Sequence, residues 1–289
     1  MGGHSSGSLE KAVKRLVSRA KDGVAPFIGS DEEGGTVQRL ATEIYPLPSA
    51  SVMGTWSASK IEKTAESYGK QMKRLGVNLS FSPVVDLGFP GYFIGDSRRA
   101  FGHNPRDVAK GAAAWASGLQ SAGVAPVLKH WPGHGRAVDT HKNPGQIPSI
   151  RVLSKTDLVP FLKTISAGFT TVMVGHLVSP GLTEKNTPAS RSPKALAVLR
   201  EQIGEAGIII TDELSMGGST YGLNGRVDLA AVKALAAGVD VALVCNGPAD
   251  LVHRVKRLMK RNGLTREELI GKVDRILEWK RSFSVIPGD

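Results

Sequence analysis

The sequence predicts an α/β fold whose parallel strands close into a barrel, and three observations carry that expectation. Short, continuous apolar runs alternate with helical patterns along the chain, the rhythm of parallel strands covered on both faces. Polar residues stand repeatedly where those runs end, at Asp31, Asp86, Lys129, Asp212 and Asn246. Several strand ends feeding one rim is the pattern of a parallel (β/α) barrel of TIM type. No G-x-G-x-x-G opens a helix, so the first-turn signal of an open dinucleotide-binding sheet is missing.

In order, residues 9–20 read as a helix and 26–29 as a short strand running into D-E-E-G-G at 31–35. Helical periodicity covers 61–75, and 77–85 is a second strand ending at Asp86. A loop over 88–102 carries Arg98 and Arg99, followed by a helix over 108–122 and a third strand over 125–128. A helix over 155–167 precedes a fourth strand, 170–174, with His176 just beyond it. A helix over 193–203 leads to a fifth strand, 208–210, ending in Thr211-Asp212-Glu213. A helix over 230–237 and a sixth strand over 240–244 follow, and helices over 252–261 and 267–281 complete the pattern.

A chain of 289 residues suits one barrel, which commonly uses about 250. One cysteine, Cys245, permits no disulfide within the chain and no cysteine metal site, and it reads as a small buried hydrophobe. No apolar run is long enough to span a membrane. The excess of 37 Lys and Arg over 26 Asp and Glu, a net +11, is scattered over helices without aromatic interleaving. It therefore reads as a basic surface, with no nucleic-acid partner. Residues 1–8, M-G-G-H-S-S-G-S, have no apolar h-region. They read as a tag remnant or a Gly/Ser loop ahead of a single catalytic domain over 9–289, with a cytoplasmic location favoured over export.

The stretch 129–141, K-H-W-P-G-H-G-R-A-V-D-T-H, concentrates the chemistry. Pro132, Gly133 and Gly135 prevent a helix, so a strand end opens into a loop. Three readings compete. A zinc site could use His130, His134, Asp139 and His141, but the i, i+4 histidine pair suits a metal on a helix, which Pro132-Gly133 forbids. His134 could instead satisfy loop backbone groups. Third, Asp139 and His141 are two apart, so an extended segment puts both on one face. The carboxylate can then fix the imidazole and favour its charged form. That third reading needs a partner on the rim, and Asp212, directly after an apolar run, is the candidate. Asp212 reads equally as the N-cap of the next helix.

The segment 129–135 followed by Asp139-Thr140-His141 resembles the family 3 glycoside hydrolases, in their β-N-acetylglucosaminidase branch. Three further segments agree: 31–40 (D-E-E-G-G-T-V-Q-R-L), 99–102 (R-A-F-G) and 211–216 (T-D-E-L-S-M). Together the resemblance covers most of 26–281. It implies a retaining hydrolase that removes terminal β-linked N-acetylglucosamine by way of a covalent glycosyl–enzyme intermediate, without a cofactor or metal. By motif position Asp212 matches the nucleophile and His141 the acid/base, supported by Asp139. Asp31, Arg39, Arg99, Lys129 and His130 match positions that hold the sugar, and His176 stands behind them. The implied partner is an N-acetylglucosamine-containing oligosaccharide or muropeptide from peptidoglycan. The alternatives are a phosphorylase of the same family, with inorganic phosphate drawn by Arg39, Arg99 and Lys129, and a non-catalytic carbohydrate-binding barrel. The family barrel has eight strand–helix units and six are read here, so the first two are expected to be missing.

Overall fold

The structure is a computed structural model, and it describes residues 6–286. It is an α/β fold built on parallel sheets. Gly29–Ser30, Leu79–Ser80 and Ala125–Pro126 form one three-stranded sheet, with Gly29 opposite Leu79 and Leu79 opposite Ala125. Leu128–Trp131, Thr171–Val174 and Ile208–Thr211 form the second, with Leu128 opposite Val172 and Ile208 opposite Thr171. The third expected strand takes part in both sheets. It runs on through Lys129 and His130 to Trp131, so these two side chains project from the strand itself rather than from the loop beyond it.

Among the described residues no strand pairing joins the sixth expected strand to the first. The sixth expected strand, 240–244, lies beside the fifth in parallel: a bridge joins Val241 to Ile210, Asp240 and Val241 donate their N–H groups to the Ile209 carbonyl, and Thr211 and Leu214 donate to the Val241 and Leu243 carbonyls. Side chains reinforce this pairing. The Asp240 carboxylate accepts from Arg200, Arg275 and the Ile209 N–H, and Leu243 donates its N–H to the Thr211 hydroxyl. The second expected strand also shortens. Pro83 has no N–H to give to a ladder, and pairing resumes at Val84, opposite Lys129. The D-E-E-G-G segment after the first strand forms a small antiparallel hairpin, Glu32–Gly34 with Val37–Gln38.

Helix boundaries follow local signals. Asn104 caps Pro105–Ser121 by accepting the Arg106 N–H, with Pro105 in the first position, where no N–H is needed. Ser192 and Pro193 repeat this at Pro193–Ile203, which Gly204 ends with a φ of 73°. The Ala58–Arg74 and Pro105–Ser121 helices touch so closely at Gly118 that a Cβ there would lie 2.2 Å from the Glu62 carbonyl oxygen. Arg266–Ser282 opens with a full capping box between Thr265 and Glu268. At its other end Lys280 donates to the Ala25 carbonyl at 2.8 Å, and Trp279 lies against Phe27 with ring centres 4.1 Å apart.

Candidate active site

All eight residues singled out in the sequence line one cavity of about 670 Å³: Asp31, Arg39, Arg99, Lys129, His130, Asp139, His141 and Asp212. They meet because parallel strands deliver their C-terminal ends to the same side of a sheet, so residues far apart in sequence converge.

A buried ionic cluster forms one wall. Lys129 Nζ donates to Asp31 Oδ1 at 2.8 Å and to Glu33 Oε1 at 2.6 Å. Arg99 grips the same Glu33 with two bonds, 2.7 Å from Nε and 2.9 Å from Nη2. Burial alone would raise the Glu33 carboxyl, but the charges of Lys129 and Arg99 outweigh it and hold the group at about 2. Lys129 responds in the opposite sense: burial disfavours its charge, and Asp31 and Glu33 more than restore it. Arg39 is exposed at the rim, and only its backbone N–H, bonded to Asp31 and Glu32, has a partner among the described residues.

Glu33 is the residue the sequence reading missed. It stands two positions from Asp31 in an extended segment, the same spacing that marked Asp139 and His141, so alternation could have found it. Glu32, between them, points the other way. There it accepts from Ser30, Tyr68 and the Arg39 and Leu40 N–H groups, which fixes the hairpin.

Asp86 is fully buried and organises the histidines. It accepts from the backbone N–H of both His130 and His134 and from His130 Nδ1 at 2.7 Å. Arg99 Nη2 lies 3.4 Å from His130 Nε2. A guanidinium only donates, so this contact makes Nε2 the acceptor and Nδ1 the donor to Asp86. His134 gives its Nε2 to the Val138 carbonyl, which is the loop-satisfying role. Burial, with His130 nearby, pushes His134 down to about 4. An NMR titration is expected to find this ring neutral at pH 6 and protonating only near 4; a midpoint near 6.5 would contradict its placement. Among the described residues no cluster of three or more His, Cys, Asp or Glu side chains converges as a metal site would.

Asp212 follows the Ile208–Thr211 strand and is half-buried at the cavity. The helix-cap reading does not hold. The next helix, Gly217–Thr220, begins after Met216, and the Asp212 carboxylate accepts only the neighbouring Glu213 N–H. Burial would raise its pKa, but the imidazoles of His130 and His176, that N–H and Lys129 prevail, so the carboxyl sits below its ordinary range. His176 is fully buried; its Nε2 donates to the Glu213 carbonyl and Ser190 bonds its Nδ1, which fixes the turn after Asp212.

The Asp139–His141 pair forms, though through a local turn rather than an extended segment. Asp139 Oδ1 accepts the His141 backbone N–H at 3.0 Å and also bonds His141 Nδ1. The imidazole is 67% exposed with Nε2 left for the cavity. Hydrogen bonding from His141 outweighs partial burial and lowers the Asp139 carboxyl, so it stays ionised beside the ring.

A strand-end carboxylate sharing a cavity with an Asp–His pair, among donors and acceptors suited to hydroxyl groups, is an arrangement that fits a glycoside hydrolase. The comparisons make this specific. Residues 4–279 match the model of the glycosyl hydrolase family 3 N-terminal domain, and the chain belongs to that family. It is 36% identical over 257 residues to a β-hexosaminidase of Xanthomonas euvesicatoria pv. vesicatoria, covering 85% of this chain and 74% of the relative. It is 39% identical over 226 residues to the β-hexosaminidase LpqI of Mycobacterium tuberculosis, covering 75% of this chain and 57% of that one. Among solved structures, a family 3 glycosyl hydrolase of Mycobacterium smegmatis superposes with a TM-score of 0.82 at 35% identity, over 93% of this chain and 84% of the other. A family 3 β-N-acetylglucosaminidase of a Paenibacillus strain gives 0.89 at 28% identity, over 99% of this chain and 56% of the other.

Proposed function

We propose that this chain is a retaining β-N-acetylglucosaminidase that releases terminal β-linked N-acetylglucosamine, with peptidoglycan fragments as its substrates. One observation carries the reading: Asp212, directly after one strand, and the Asp139–His141 pair, in the loop beyond another, line the same cavity. The β-hexosaminidase and β-N-acetylglucosaminidase names of the relatives supply the substrate class.

In the first step Asp212 attacks the anomeric carbon while His141 gives its Nε2 proton to the departing oxygen, and a glycosyl ester forms on Asp212. Asp139, held ionised, accepts from Nδ1 and stabilises the imidazolium before the transfer. In the second step neutral His141 takes a proton from water. The water oxygen bonds the anomeric carbon, and the Asp212 carboxylate leaves. Asp31, Glu33 and His130 accept from sugar hydroxyls, and Arg39, Arg99 and Lys129 donate.

Hydrolysis is favoured over phosphorolysis on a specific ground. The cations that would draw phosphate are already neutralised, Lys129 by Asp31 and Glu33 and Arg99 by Glu33, which leaves Arg39, whose side chain has no ion-pair partner among the described residues. The test is turnover of an aryl β-N-acetylglucosaminide with the aryl β-glucoside as control. Rapid release from the first alone is expected, and equal rates would remove the substrate assignment. Asp139→Asn should cost a substrate with a sugar leaving group about a hundredfold in kcat/KM, and an aryl glycoside much less, because a good leaving group needs little protonation. Equal losses would make Asp139 merely structural.

A further inference from the structure

The imidazole of His141 is exposed, yet the backbone that carries it is pinned. Gly217 donates its N–H to the His141 carbonyl at 2.7 Å, and Gly218 donates to the Thr140 carbonyl at 3.1 Å. Both donors belong to the first turn of the Gly217–Thr220 helix, where N–H groups lack partners inside the helix. The loop's carbonyls therefore cap that helix. No side chain fits between them. A Cβ at Gly217 would lie 2.1 Å from the Lys142 carbonyl oxygen; one at Gly218 would lie 2.8 Å from that of Thr140 and 3.0 Å from the His176 Cβ. Further along the loop Gly145 donates to the His176 carbonyl, and Gly145–Gln146 pairs in parallel with Leu177–Val178. The two glycines directly follow the turn that begins at Asp212.

We infer that Gly217 and Gly218 are positioning residues for the reaction: their bare backbone is the seat that holds the 136–146 loop with His141 presented to the cavity that Asp212 lines. This rests on the reading of His141 as the acid/base. The loop's backbone is thereby tied to the nucleophile's own turn, so the two reacting groups are set relative to each other by main-chain bonds. A side chain on the seat lifts the loop. It costs proton transfer and spares sugar binding, because Asp31 and Arg99 stand on other segments and Lys129 lies in the Leu128–Trp131 strand, ahead of the loop.

The experiment compares Gly217→Ala and Gly218→Ala with Gly271→Ala, a control whose Cβ meets nothing within 4 Å on the Arg266–Ser282 helix. In Gly217→Ala, kcat/KM for N,N′-diacetylchitobiose should fall about a hundredfold, the scale of a lost general acid, and for a nitrophenyl glycoside far less. N-acetylglucosamine should bind as a competitive inhibitor with unchanged affinity. Azide should restore nitrophenyl turnover and yield the β-glycosyl azide, since it bonds the anomeric carbon and frees the Asp212 carboxylate without needing a base. Gly218→Ala should move the same way by less, and it decides the matter if Gly217→Ala does not fold. Equal losses on both substrates without azide rescue, in a folded variant that still binds the inhibitor, would overturn the seat. His141→Ala run alongside separates the two ideas. If it too shows no leaving-group dependence and no azide rescue, the acid/base reading falls; if it shows both and the glycine variants show neither, the seat alone falls.

Discussion

Asp212→Asn is expected to lower kcat about a thousandfold or more while the chain stays folded, because in the proposed mechanism this carboxylate forms the glycosyl ester. The side chain bonds only the next residue's N–H, so an amide of the same shape disturbs little of the packing. Far-UV circular dichroism and inhibitor binding should match the parent. A slow fluorinated glycoside should add its sugar mass to the parent protein, on the peptide that contains Asp212, and leave Asp212→Asn unlabelled. Near-normal turnover by the variant, or a label on another residue, would remove Asp212 from the nucleophile's role.

Glu33→Ala should be the most damaging change to stability in the cavity wall. It leaves Lys129 and Arg99 buried without the carboxylate that both contact. Breaking such a cluster from one side typically costs about 3–5 kcal/mol, since the stranded charges keep their desolvation cost. On a chain of this size that corresponds to a fall in Tm of roughly 10 °C. The pH dependence has a definite sign. Glu33 sits at about 2 in the folded chain against an ordinary 4.5, so its contribution is complete above 4.5 and is lost as pH falls from 4.5 toward 2. Denaturant titrations of parent and variant should converge across that window. A neutral-pH difference below about 1 kcal/mol, the scale of an exposed ion pair, would show that the cluster is not held as a unit.

The cavity was legible in the sequence because its logic is local at each strand end. An apolar run that stops at Asp31, Lys129 or Asp212 announces a side chain delivered to the rim, and each of them lines it. Pairings between strand ends were not legible. That Asp86 holds His130, or that one Glu33 serves two cations, depends on which strands become neighbours, and apolar runs do not encode neighbour order. Strand length failed for a related reason. Leu128–Trp131 extends past its apolar start because Thr171–Val174 is there to pair with it, whereas at 240–244 the ladder is interrupted where the Leu243 N–H goes to the Thr211 hydroxyl. The 31–38 hairpin was hidden because its residues are mostly polar, so no apolar run marks its strands on either side of the Gly35-Thr36 turn.

The contact between Lys280 and the Ala25 carbonyl, beside the stacking of Trp279 on Phe27, has a practical consequence for anyone who handles this protein. The last described helix braces the segment that leads, within a few residues, to Asp31. Force or crowding applied at that helix travels along a short lever to the floor where the sugar would rest. An immobilisation tether or fluorescent fusion attached after Ser282 should therefore disturb ligand affinity more than one placed on the exposed Leu251–Leu258 helix. Affinity for N-acetylglucosamine, measured with the two attachments side by side, would gauge how stiff that lever is.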